Sequence, residues 1–300
     1  MPRSPRKDLE RQQRRWAESA GVDCDARGFV RDLDANLRVP LAVATRAAFA
    51  RGAELTPRKS QPARIAALYS SAALVANVFD HWSALDAAPL VTALGFHAEH
   101  AQFAFEEPLA TGVEGDPPTS DVVLRFESGR FVAIESKFGE WLVRRASNRT
   151  ELKPKYFAGG RTIWGDAGLP RCQQLAEDLR AGRARFKHLH AAQLLKHALG
   201  LARAGGENEA GRVAGEGAAS EVPRTIARRA TRELRYLYYD WPSGPADAHR
   251  AELERFAERV GDEIRFSAST YQDLYRALEV DARVDRAYLE YLRTRYFRVV

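Results

Sequence analysis

The stretch that decides the fold is DPPTSDVVLRFESGRFVAIESKF, residues 116–138. The pair Pro117-Pro118 excludes regular structure at its start, and two apolar runs follow on either side of the turn-forming pair Ser128-Gly129. Such a pattern is typical of two antiparallel strands joined by a tight turn. We therefore predict a hairpin whose first strand begins near Asp121 and whose second strand ends near Lys137.

This hairpin gathers charged side chains at one of its ends. Glu135 and Lys137 occupy alternate strand positions, so both side chains leave the same face, whereas Ser136 points the other way and offers only its backbone carbonyl. The spacing from Asp121 to Glu135 suits two strands paired across the turn, which places the two carboxylates side by side. The sequence thus predicts two convergent carboxylates and one ammonium group.

Two carboxylates among apolar neighbours repel each other and are costly to bury unless a cation lies between them. Mg²⁺ is typically held by one or two carboxylates and keeps several waters, which leaves room for a phosphate oxygen. We expect Asp121, Glu135 and the Ser136 carbonyl to bind Mg²⁺, with Mn²⁺ as a substitute, and Lys137 to orient the attacking water or stabilise charge on phosphorus. The alternative is an ordinary exposed strand pair in which these charges have no catalytic role.

Periodicity predicts the elements on either side of the hairpin. One long amphipathic helix is expected from Pro62 to Leu85, and a half-buried strand is expected over HAQFAFEE, residues 100–107. After the hairpin, apolar spacing predicts helices over Arg171–Ala181 and 191–203, a strand over ELRYLYYDW, a helix over Ala246–Val260, a short strand EIRFS, and helices from Thr270 and Val284. The core order is helix, three strands, helix, strand.

This order and the motif Asp121…Glu135-x-Lys137 resemble the PD-(D/E)XK nuclease superfamily, in particular its bacterial restriction-endonuclease-like members. SSAALVANVFDHW, QLLKHALGL and LRYLYYDW resemble the family's first helix, later helix and following strand. The resemblance implies a three-layer α/β fold with an αβββαβ core and a mixed central sheet, and places Gln193 towards the site. The first helix lacks the acid that many members carry there. Glu106, Glu107 and Glu114 are open candidates for a further acidic ligand.

Composition sets the wider limits. With 45% hydrophobic and 29% charged residues, the chain is typical of a globular protein, and no secretory signal or spanning segment is evident, so a cytoplasmic location without membrane association is expected. We divide it into a basic helical extension, residues 1–60, and a nuclease-like domain, residues 61–300. Within that domain the core covers about 63–241, a mobile insertion about 204–223, and the C-terminal strand and helices 245–300.

Basic residues interleaved with aromatic ones follow the hairpin, a mixture that suits phosphates and splayed bases. The candidate nucleic-acid contacts are Arg144, Arg145, Arg149, Lys153, Lys155, Tyr156, Arg185 and Lys187. The net charge of +6 permits a polyanionic partner, for which double-stranded DNA is the first expectation, cut by a possible homodimer.

The function that these patterns favour is a metal-dependent DNA endonuclease, with a role in restriction or defence suggested by the resemblance alone. Two alternatives stay open: a nucleic-acid-binding or scaffold protein that keeps the fold without chemistry, and an RNase or structure-specific repair nuclease. Zinc binding is disfavoured because no acid or cysteine completes a tetrahedral set with His188, His190 and His197. The sequence also contains no phosphate-binding loop for ATP.

Overall fold

The computed structural model describes residues 4–57, 61–97, 99–144, 152–204 and 232–297. Its centre is a five-stranded sheet with the strands in chain order. The strands are β1 Ala101–Pro108, β2 Thr119–Phe126, β3 Phe131–Lys137, β4 Arg232–Tyr238 and β5 Arg265–Thr270. The first three pair antiparallel, and β4 and β5 continue parallel to β3, which gives the mixed sheet that was predicted.

Helices cover both faces of the sheet. They are α1 Pro5–Ser19, α2 Val43–Arg51, α3 Ser71–Phe79, α4 Ala88–Ala93, α5 Ile163–Asp166, α6 Pro170–Ala181, α7 Ala191–Arg203, α8 Gly244–Val260, α9 Tyr271–Glu279 and α10 Arg286–Leu292. Neighbouring residues of β3 identify the two layers: the Ser136 hydroxyl contacts the Tyr271 hydroxyl of α9 at 2.7 Å, whereas Glu135 faces His197 of α7. Because neighbouring strand residues point to opposite faces, α7 and α9 lie on opposite sides of the sheet.

The long helix predicted from Pro62 to Leu85 is wrong in its extent, because the α-helix is confined to α3. The residues before it pair with a distant segment: Phe29 forms a β-bridge with Ala67, and the Leu68 N–H donates to the Gly28 carbonyl at 2.9 Å. These contacts hold the backbone extended where the periodicity predicted helix. Ser70 then caps the shortened helix by accepting a hydrogen bond from the Ala73 N–H.

The N-terminal segment packs on the sheet domain. Leu9 of α1 and Phe49 of α2 are fully buried in the same core as the central strand residues Val123 and Ile134. Arg295, fully buried near the end of the chain, donates to the Asn36 carbonyl at 2.6 Å and lies 4.1 Å from the centroid of the Trp16 ring. The two ends of the chain are therefore joined through one core. Within the described residues, no helix combines the length and apolarity needed to cross a membrane.

Candidate active site

The candidate site lies where β2 and β3 separate. The last backbone pair of the two strands is Val122 with Ile134. After this pair, side chains take the place of backbone hydrogen bonds between the two strands. The Ser120 hydroxyl donates to the Ile134 carbonyl at 3.1 Å, and the Ser136 N–H donates to Asp121 Oδ2 at 2.6 Å. The Asp121 carboxylate thus occupies the space between the strands, and the sheet opens at the carboxyl end of β3.

Three carboxylates form a row across this opening. The β1–β2 register pairs Phe105 with Val122, which places Glu106 opposite Asp121. Continuing the β2–β3 register by one step from the pair Val122 and Ile134 places Glu135 opposite Asp121 on the other side. Glu106 has a φ of 47°, which non-glycine residues rarely adopt and which is often found at functional sites. The register agrees with the expected approach of Asp121 and Glu135, and it brings a third acid, Glu106, to Asp121.

Burial and mutual repulsion make it costly to ionise the carboxylates of this row. Burial, followed by the charge of Glu135, raises the pKa of Asp121 to about 8, and burial together with Asp121 raises the pKa of Glu106 to about 9. Glu135 is 1% exposed, and burial raises its pKa as well. Lys137 donates to Glu135 Oε1, and although burial opposes its charge, the surrounding carboxylates raise the pKa of Lys137. One ammonium therefore faces more carboxylates than it can neutralise.

The opening between β2 and β3 also holds oxygen atoms of the kind that hard cations prefer. Glu135 Oε2 is buried and accepts no hydrogen bond within the described part of the chain. The Lys137 carbonyl accepts from the Tyr239 N–H on the β4 side at 2.8 Å, so the preceding carbonyl, of Ser136, points towards the gap beside β2. Two carboxylates and a carbonyl suit a cation that keeps open positions for water and phosphate. No group of three or more His, Cys, Asp or Glu side chains among the described residues is arranged to enclose a metal.

Two further residues, His197 and Glu140, lie beside this site and were not predicted to do so. His197 of α7 is fully buried, and its Nδ1 lies 3.3 Å from Glu135 Oε2; burial and the charge of Lys137 lower its pKa to about 3, which keeps the ring neutral. Glu140 accepts the N–H of Phe138 at 2.8 Å, and although burial opposes ionisation, Lys137 holds the pKa of Glu140 below its usual value. The sequence signals were the short spacing from Lys137 to Glu140 and a histidine on the apolar face of a helix.

Of the three open acidic candidates, Glu106 is the one that the fold brings to Asp121. Glu107 forms an ion pair with Arg125 at 2.6 Å, and Glu114 is exposed. Gln193 is partly buried on the first turn of α7, one turn before His197 and on the same side of the helix. Its role at the site therefore stays a prediction.

The predicted nucleic-acid contacts divide by exposure. Arg144, Lys153, Arg185 and Lys187 are exposed, and Lys155 is partly buried with its ammonium donating to the Glu114 carbonyl. Tyr156 is only 4% exposed and stacks on Trp164, so its ring belongs to the core and cannot receive a base. Arg145 and Arg149, like residues 205–223 of the predicted insertion, lie outside the described residues.

The loop that carries Arg185 and Lys187 is anchored beside the site. The Glu252 carboxylate of α8 accepts the backbone N–H groups of Lys187, His188 and Leu189 at 2.6–2.9 Å. The His188 ring contacts the carbonyl of Trp141, in the segment that follows β3, at 2.8 Å. Exposed basic side chains thus stand at the same edge of the sheet as the carboxylate row.

A mixed α/β sheet that opens at an Asp and a Glu-x-Lys motif defines the restriction-endonuclease-like class of proteins. The sequence profile of the family described as Restriction Endonuclease associating with ARP matches residues 16–297, and the chain belongs to that family. The resemblance seen in the sequence is therefore confirmed, and the family indicates a nuclease. No curated protein and no solved structure matches the chain.

Proposed function

We propose that this protein is a metal-dependent endonuclease that hydrolyses phosphodiester bonds of DNA. The observation that carries the proposal is the row of Glu106, Asp121 and Glu135 beside Lys137, because a nucleic-acid-binding or scaffold protein gains nothing from three partly neutralised carboxylates at a break in its sheet. Membership of a restriction endonuclease family supports the same reaction class.

Each residue of the site has a proposed part. Asp121, Glu135 and the Ser136 carbonyl would hold Mg²⁺, with Mn²⁺ as a substitute, and Glu106 adds a third carboxylate at the open side. When bound, the metal supplies a Lewis acid for the phosphate and lowers the pKa of a bound water. The Lys137 ammonium, fixed by Glu135, orients the attacking water and stabilises the charge that develops on the phosphate oxygens. Gln193, on the first turn of α7, is proposed to contact the same phosphate.

The substrate is proposed from the surroundings of the site. Arg144, Lys153, Arg185 and Lys187 are exposed and would contact backbone phosphates, as would Arg145 and Arg149. Double-strand cutting by a chain with one such site would require two copies, so a homodimer is part of the proposal. A role in restriction or defence, and an association with ARP, are carried over from the description of the family.

The test is a cleavage assay on supercoiled, linear, branched and single-stranded DNA and on RNA, with Mg²⁺, Mn²⁺ or EDTA. We expect cleavage of DNA that requires the metal and is lost in Lys137→Ala, Asp121→Asn and Glu135→Gln. Glu107→Gln is the matched control, because Glu107 adjoins Glu106 on β1 but is paired with Arg125. Cleavage in EDTA, or cleavage that survives Asp121→Asn and Glu135→Gln together, would contradict the mechanism.

A further inference from the structure

A cavity of about 550 Å³ lies at the same edge of the sheet as the candidate site. It opens between α1, the residues that follow β4, and the start of α9. Its aromatic wall consists of Tyr239, Trp241 and Phe297, and arginines from α1 and α9 stand at its rim. The volume falls within the roughly 300–1,000 Å³ of typical ligand sites.

Direct contacts connect this cavity to the catalytic strand. The Tyr239 N–H donates to the Lys137 carbonyl at 2.8 Å, so the aromatic wall starts one strand away from the Glu-x-Lys motif, about 5 Å across the sheet. On the side of the sheet that α9 covers, the Tyr271 hydroxyl contacts the Ser136 hydroxyl at 2.7 Å, and the next residue, Gln272, lines the cavity. Both contacts lie on the α9 side of the sheet, opposite to the Glu135 side chain, so a strand whose phosphate lies at the carboxylate row would reach the cavity by passing over the ends of β3 and β4.

The aromatic wall suits a planar ring. The rings of Tyr239 and Phe297 are 5.9 Å apart and inclined by 27°, and the Trp241 ring is inclined by 30° to that of Tyr239. Their faces are thus nearly aligned. Tyr239 is buried and the Phe297 ring also stacks on Tyr275 at 4.6 Å, so the partly buried Trp241 is the ring that can offer a face to a ligand. Nucleic acid bases stack on such surfaces without regard to their sequence.

The rim of the cavity suits phosphate. Arg11, Arg15 and Arg276 line it, and guanidinium groups bind phosphate oxygens in a bidentate manner. Arg11 and Arg276 have acidic partners on their own helices, Asp8 and Asp273. Arg15 is exposed on α1, and within the described parts of the chain it forms no ion pair. An aromatic wall beneath a guanidinium rim presents the two groups that recognise a base and its phosphate.

We infer that this cavity binds one unpaired nucleotide of the DNA strand, beyond the phosphate that is cut. The inference rests on the proposed nuclease function and adds to it a preference for strands in which a base is extruded or already single. A paired base cannot enter, because it would have to leave the helical stack first. Trp241 is then the stacking residue and Arg15 holds the adjacent phosphate.

The test measures binding of short fluorescent single strands by anisotropy in EDTA, where nuclease activity plays no part. Trp241→Ala is expected to lower affinity by about 10- to 100-fold, the usual effect of removing one stacking ring, and Trp241→Phe to stay within about 3-fold of wild type. Phe131→Ala is the matched control, since Phe131 is also a partly buried aromatic residue but lies at the opposite end of β3. Arg15→Glu, on the exposed side of α1, tests the rim without touching the core and should weaken binding in a salt-dependent manner.

The decisive readout is a scan with a single abasic nucleotide placed at each position of the strand. Wild type should lose affinity at one position, and Trp241→Ala should lose nothing further at that position. A flat profile for wild type, or full affinity in both Trp241→Ala and Arg15→Glu, would overturn the inference even if DNA cleavage is observed. Tight binding of free mononucleotides with a flat strand profile would also overturn it, in favour of a site for a free nucleotide.

Discussion

Replacing Asp121 by Asn should stabilise the metal-free protein. Burial and Glu135 raise the pKa of Asp121, so the folded protein resists the charge that the unfolded chain carries freely. Asparagine has nearly the same shape and keeps a side-chain oxygen that can accept the Ser136 N–H, which now donates to Asp121 at 2.6 Å. The substitution therefore removes the charge with little change in packing.

The size of the effect follows from the two pKa values. The ordinary pKa of Asp is 3.8 and the pKa of Asp121 in the folded protein is about 8. At about pH 7 this difference lowers the free energy of unfolding by up to roughly 4 kcal/mol, at about 1.36 kcal/mol per pH unit. Asp121 is partly exposed, and solvent screening reduces this figure, so we expect the variant to gain about 2 kcal/mol.

The pH dependence has a definite sign. Because the folded pKa of Asp121 is raised, the folded state binds more protons than the unfolded chain between the ordinary value of 3.8 and about 8. Wild-type stability should fall as pH rises through this window. The stability difference between Asp121→Asn and wild type should be small near the lower limit and largest near the upper one.

Urea unfolding followed by circular dichroism, in EDTA and in Mg²⁺, measures these quantities. Mg²⁺ should stabilise wild type most at the upper end of the pH window, and Asp121→Asn should respond much less. Asp262→Asn, at an exposed position, is the control and should match wild type. If Asp121→Asn is less stable than wild type in EDTA at the upper end of the window, or if Mg²⁺ stabilises both proteins equally, the carboxylate row does not bind a cation as argued.

Three further outcomes are expected. Glu106→Gln should lower DNA cleavage by about 10- to 100-fold, whereas Glu107→Gln should leave it unchanged. Steady-state assays of the two purified variants measure the difference, and equal losses would show that Glu106 has no specific role. Gly52→Ala should reproduce much of the loss of cleavage seen in Glu106→Gln, because the added Cβ would lie 2.8 Å from the Glu106 carboxyl carbon and displace that side chain. Thermal stability should be unchanged, because the Gly52 φ of −71° is one that alanine adopts readily. Burial lowers the pKa of His249 to about 3, so wild-type stability should fall as the pH decreases from 6.5. In thermal unfolding, His249→Gln should lose less stability than wild type over that range, and parallel stability curves for the two proteins would refute this role of His249.

The hairpin could be predicted because its information is local. A strand that slips by one residue exchanges its buried and exposed faces, so the alternation along β2 and β3 and the turn at Ser128-Gly129 together fix the register. Once the register is fixed, Asp121 and Glu135 must lie opposite each other. The helix predicted over Pro62–Leu85 failed for the converse reason: its interruption depends on a bridge between Ala67 and the distant Phe29, which no local pattern reveals.

The third acid shows where sequence information ends and the fold becomes necessary. Glu106 and Glu107 are chemically identical neighbours, and alternation alone would assign one to each face without saying which one faces the site. The choice depends on the pairing of β1 with β2 across a long connection, and on a backbone φ of 47° at Glu106 that sequence does not specify. Gly52, on a different element, leaves the space that the Glu106 carboxylate occupies. A position that combines an unfavourable backbone conformation, a raised carboxyl pKa and a reserved space is costly for the fold, and a cation at the carboxylate row would offset that cost.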